Sequence, residues 1–136
     1  MKKNIVLFAF IMLSVFTLSA QSKKGKIEVL YFKANLCACR AKVCTAVGND
    51  IKNIIDKNYP DSSIIFREIK LADVTNKEIV TKYNAQSQSL IIVKKKKKNE
   101  TFIDVSDIVK GYSQKQDKEV LEKELKSKIV ELKKIK

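Results

Sequence analysis

The spacing of apolar residues changes abruptly near the middle of the first half of the chain. Ile27, Val29 and Tyr31 alternate with Glu28, Leu30 and Phe32, and apolar residues fall on both faces toward the end. Residues 26–33 therefore read as a central strand buried from both sides. From Cys39 onward the period is helical: Cys44, Val47, Ile51, Ile54 and Ile55 recur at three- and four-residue steps, predicting an amphipathic helix over 39–57. Gly48 weakens that helix, and Asn58-Tyr59-Pro60-Asp61 supplies its stop.

Ser63 to Ile69 is rich in β-formers and reads as a second strand. Asp73-Val74-Thr75-Asn76 has the character of a cap, followed by a short helix from Lys77 to Tyr83 that ends near Asn84. Ser89 to Val93 is a compact apolar run suited to a buried strand. Lys94 to Lys98, with Asn99-Glu100, reads as a solvated turn, after which Thr101 to Val105 pairs back antiparallel. Ser106 caps a helical turn through Lys110 that Gly111 ends. Asp117 begins a last helix, whose apolar stripe runs through Val120, Leu121, Leu125, Ile129, Leu132 and Ile135. A βαβ start, a hairpin and a closing helix predict an α/β fold with a small central four-stranded mixed sheet covered on both faces.

The first residues have a different character. Met1-Lys2-Lys3-Asn4 precedes an apolar run from Ile5 to Leu18 that ends in Ser19-Ala20, the layout of a secretory signal peptide. The run is shorter than the roughly 20 apolar residues that span a bilayer. The expectation is a signal peptide over 1–20, a flexible lead-in over 21–25 and one domain over 26–136, exported to the periplasm with no membrane span after cleavage.

Two of the 28 basic residues lie in the leader and none of the 15 acidic ones, so the remainder carries +11 against +13 for the whole chain. A charge this high raises nucleic-acid binding as a possibility. The lysines are spread along the chain and only Arg40 and Arg67 are arginine, so no nucleic-acid partner is expected; attraction to an anionic surface or partner stays open.

All three cysteines fall between Cys37 and Cys44, at the joint between the first strand and the first helix. Tyr31-Phe32-x-x-Asn35 followed by the cysteines and Cys39-Arg40, then Tyr83 to Val93, then Asp107 to Leu132, resembles the thioredoxin-like proteins of arsenic-resistance gene clusters, often labelled nitrophenyl-compound nitroreductase subunits. The resemblance covers nearly all of the chain beyond the leader and implies a thioredoxin-like fold. No flavin-binding signature is visible, and no cofactor is expected. The chain departs from the thioredoxin pattern in four ways: one residue, Ala38, separates Cys37 from Cys39 where that pattern has two; no tryptophan precedes them; Ser89 stands where a cis-proline is expected; and Tyr31 and Phe32 occupy the strand position of a buried acid.

Three chemistries fit these thiols. In thiol–disulfide exchange with a protein partner, Cys37, just ahead of the helix, is the attacking thiolate, favoured by the positive end of the helix dipole and by Lys33 and Arg40, and Cys39 resolves it. Cys44 shares the apolar stripe of Val47 and Ile51 and reads as a core residue; about 140° of helical rotation separates it from Cys39, so a bridge between those two requires local unwinding. In the second, soft thiolates hold copper(I), zinc or trivalent arsenic, although with no histidine in the chain a four-ligand zinc site needs another donor. In the third, the fold is a binding subunit without catalysis, and the odd cysteine count also permits an intermolecular disulfide. The lack of histidine removes the usual base of a hydrolase.

Overall fold

The computed structural model describes residues 25–34 and 38–135, with side chains from residue 42 onward in the second stretch. The expected leader, the lead-in up to Lys24 and Cys37 lie outside the described residues. The elements are β1 (Lys26–Lys33), α1 (Ala38–Asn58), β2 (Ile64–Lys70), a 3-10 turn (Val74–Asn76) that runs into α2 (Lys77–Lys82), β3 (Leu90–Lys96), β4 (Asn99–Asp104), α3 (Ser106–Lys115) and α4 (Lys118–Lys134). The strands form one sheet in the order β2-β1-β3-β4. β1 runs parallel to β2 and antiparallel to β3, and β3 and β4 form an antiparallel hairpin. This is an α/β fold of thioredoxin-like arrangement, a four-stranded mixed sheet flanked by four helices.

The alternation in β1 divides the core. Ile27, Val29 and Tyr31 join Val47, Ile51 and Ile55 of α1 and Leu121, Leu125 and Ile129 of α4 on one face of the sheet. Leu30 and Phe32 join Ile69, Ile91, Val93 and Tyr83 on the other, against Ile79 and Val80 of α2. Burial of this kind stabilises by about 25 cal/mol per Å² of apolar surface removed from water, so both faces of β1 contribute. At Gly48 α1 approaches the sheet closely: a Cβ there would lie 3.1 Å from Cε1 of Tyr31 and 3.3 Å from Oε2 of Glu68. The glycine that weakens the isolated helix lets it settle onto the Tyr31 ring.

Three boundaries differ from expectation. The lysine run does not turn as a unit: β3 continues through Lys96, and only Lys97 and Lys98 form the turn, with Lys97 at φ 55°. Lys94 extends the strand because its ammonium donates to the Lys133 carbonyl at 3.1 Å, and Lys95 because it donates to Glu28 at 3.0 Å. Gly111 does not end a helix; α3 passes through it to Lys115, held by buried Tyr112, and the left-handed residue that closes the helix is Gln116, at φ 52°. Ser106 begins α3 but is not its cap. Asp104 accepts from the Ser106 amide at 2.9 Å, while the Ser106 hydroxyl accepts from the Leu90 amide at 3.0 Å and ties α3 to β3. Asp117 does cap α4, accepting from the amides of Glu119 and Val120. Asp73 likewise accepts from the Thr75 amide at the entrance to the 3-10 turn.

Candidate functional site

β1 ends at Lys33 and α1 begins at Ala38, and the 86–89 loop lies against the carboxyl end of β1 from the β3 side. The Phe32 carbonyl accepts from the Gln88 amide at 2.8 Å, and the Phe32 amide donates to the Ser89 carbonyl at 2.9 Å, so the loop continues the β1 ladder up to the joint. Gln88 reaches this geometry with φ 67°. Ser89, which stands at the expected cis-proline position, accepts from the Gln86 amide through its hydroxyl at 2.9 Å, and there is no cis peptide bond among the described residues.

Of the three cysteines, Cys37 lies outside the described residues and Cys39 lies in the first turn of α1 with its side chain outside them. Cys44 sits one turn further along and is 1% exposed, the buried position that the apolar stripe implies. Its Sγ accepts from Gln88 Nε2 at 3.5 Å, and its carbonyl accepts from the Tyr31 hydroxyl at 3.2 Å. The helix is continuous from Ala38, so the five-residue step between Cys39 and Cys44 is not broken.

Two groups at this end were not assigned these contacts by sequence reasoning. Lys33 donates to Thr45 Oγ1 at 2.6 Å and lies 3.7 Å from Glu68 Oε1, so it bridges the end of β1 to the second turn of α1. Glu68 pairs with Tyr31 in the parallel register. The charge of Lys33, expected to favour a neighbouring thiolate, is thus partly offset by a carboxylate on the adjacent strand. Tyr31 carries a hydroxyl where the thioredoxin pattern has an acid. Burial, then Cys44 and Glu68, push its pKa well above the ordinary phenol value, so it stays a protonated donor. The signal for Glu68 was strand register, which a single sequence does not reveal.

Among the described residues no group of three histidine, cysteine, aspartate or glutamate side chains is placed to hold a metal ion. Fold and joint define an α/β protein of thioredoxin-like arrangement whose first helix begins at Ala38. No family model and no curated protein matches this chain. A solved structure described as "Structure of a malarial protein" aligns over 62% of this chain and 90% of that chain, with 22% identity and a TM-score of 0.38.

Proposed function

We propose that this is an exported thioredoxin-like protein that exchanges disulfides through Cys37 and Cys39. The observation that carries the reading is that α1 begins at Ala38, directly between the two cysteines and five residues after the central strand ends. In sequence Cys37 immediately precedes that start, and the first-turn amides and positive dipole end of a helix favour a thiolate ahead of it. Burial of Cys44 beneath Gln88 supports its exclusion from the pair.

In the proposed reaction the Cys37 thiolate attacks one sulfur of a partner disulfide, forms a mixed disulfide and releases the partner's first thiolate. The Cys39 thiolate then attacks Cys37 Sγ, releases the second partner thiolate and leaves a Cys37–Cys39 disulfide; two electrons pass to the partner. Run in reverse, the oxidised pair accepts them. A bridge between residues i and i+2 closes a small ring and requires a tight backbone, because an extended chain holds those Cα atoms near the upper limit for bridging. Strain of this kind raises the potential, so the disulfide is expected to oxidise or isomerise partners.

Differential alkylation with mass spectrometry, in glutathione buffers of stepped potential, tests the proposal. The expected result is a reversible Cys37–Cys39 bridge, with Cys39→Ser trapping a mixed disulfide on Cys37. Three thiols that remain reduced across the series would refute exchange. Stoichiometric soft metal lost in Cys37→Ser would instead support thiolate ligation.

A further inference from the structure

Lysines distant in sequence converge at the other end of the sheet. β1 starts there with Lys26, paired with Lys95 across the β1–β3 ladder, and the Lys97–Lys98 turn closes the same end. Gly25 is held so close that a Cβ on it would lie 2.9 Å from the Lys95 carbonyl. The carboxyl end of α4 arrives as well, fixed by the bond from Lys94 to the Lys133 carbonyl. The thiol joint lies at the far end of β1, roughly 25 Å away for eight residues of strand.

The acidic groups near this end are already engaged. Glu28 is bound by Arg67, Lys95 and Lys26, Glu100 on the hairpin by Lys82 and Tyr83, and Glu131 by Lys128. Lys96, Lys97, Lys98 and Lys134 are exposed. A recess of about 460 Å³ between the hairpin and the end of α4 is lined by Lys94, Lys96, Lys97, Lys98 and Ile135, with no acidic side chain among its lining residues.

We propose that this basic end docks on anionic phospholipid headgroups and turns the thiol end away from the membrane surface. Mobile ammonium groups on long stems suit a diffuse layer of lipid phosphates. Neither arginine is among the recess-lining residues, so the planar fork that reads phosphate or base edges bidentately is missing from that lining. Exposed Ile135 supplies an apolar side chain at the rim. The chain also enters β1 at this end, through Gly25.

Co-sedimentation with vesicles of phosphatidylcholine containing phosphatidylglycerol, against phosphatidylcholine alone, tests this on purified protein whose N-terminus is fixed by mass. Each lysine near an anionic surface is worth about fivefold in affinity, so Lys96→Gln/Lys97→Gln/Lys98→Gln should weaken binding on the order of 100-fold. Lys77→Gln/Lys110→Gln/Lys115→Gln, which removes the same charge outside this end, should change it by about threefold or less. Circular dichroism verifies that both variants fold. Equal losses in the two variants would show a diffuse charge effect and overturn the proposal. So would absence of binding at low salt, or tighter binding to an RNA oligonucleotide than to the vesicles. The outcome is independent of whether Cys37 and Cys39 exchange disulfides.

Discussion

At the scale of single residues, Gly48 separates intrinsic propensity from tertiary need. Alanine there would gain about 1 kcal/mol of helix propensity. Its Cβ would press on the ring of Tyr31, which is fully buried and fixed through its hydroxyl to the Cys44 carbonyl. Overpacking a well-filled core costs about 1–3 kcal/mol. Gly48→Ala should therefore lower stability on the order of 1 kcal/mol in urea unfolding; a more stable variant would mean that α1 shifts freely over β1. Gly111 predicts the opposite sign. It lies inside α3 at negative φ, and a Cβ there meets nothing within 4 Å. Gly111→Ala should raise the urea midpoint, with a gain of about 0.5–1 kcal/mol.

The two glycines show what was legible in the sequence at this scale. Gly48 was read as a weak point of its helix and Gly111 as the end of one, and neither reading included the partner that decides the outcome: Tyr31 beneath Gly48, and buried Tyr112, which carries α3 past Gly111. Tyr112 also donates to Asp50 of α1 at 2.7 Å. Burial and that bond to Asp50 push the Tyr112 pKa up to about 12, so the donor stays protonated through the physiological range.

At the scale of elements, the sheet was legible and its ionic clamp was not. Alternation in β1 gave a strand buried on both faces, and the β-former runs gave β2 and β3. Glu28 fell on the alternation as an ordinary polar position, yet it is 5% exposed and meets Arg67 of β2 at 3.2 Å and Lys95 of β3 at 3.0 Å. Sequence could not show this, because the clamp depends on the registers that place Ile65 and Val93 opposite Glu28 and bring the cations within reach. Burial raises the Glu28 pKa, but the hydrogen bonds and charges of Lys95 and Arg67 outweigh it and hold the group below its ordinary 4.5.

A carboxylate with a lowered folded pKa contributes stability that is fully present above its unfolded value and is lost as pH falls through the folded value. Unfolding free energy should therefore fall below about pH 4.5. Glu28→Gln should flatten that acid limb at a neutral-pH cost of about 1–2 kcal/mol. The cost stays modest because the Arg67 and Lys95 side chains, 44% and 42% exposed, can turn to water. Urea titrations at stepped pH check both statements; an unchanged acid limb in the variant would assign the pH dependence to other carboxylates.

At the scale of the whole molecule, the chain has two ends with different chemistry: the cysteine joint where β1 meets α1, and the lysine end where β1 starts, β3 turns and α4 stops. The joint was legible because a change of hydrophobic period marks it, and all three cysteines lie beside that change. The core position of Cys44 followed from the same period, since on the apolar stripe it is buried at 1% exposure. The lysine end was not legible. It is assembled from Lys26, the hairpin and the end of α4, segments that only the β1–β3 register and the Lys94 bond to α4 bring together. The surroundings of Cys44 also depend on a tertiary contact, the approach of Gln88 from the loop before β3.

The most direct test of the account is the disulfide state of the purified protein across a glutathione redox series, read cysteine by cysteine by differential alkylation. A reversible bridge between Cys37 and Cys39 is expected, with Cys44 alkylated only after unfolding. A bridge that includes Cys44, or three cysteines reduced at every potential, would contradict it.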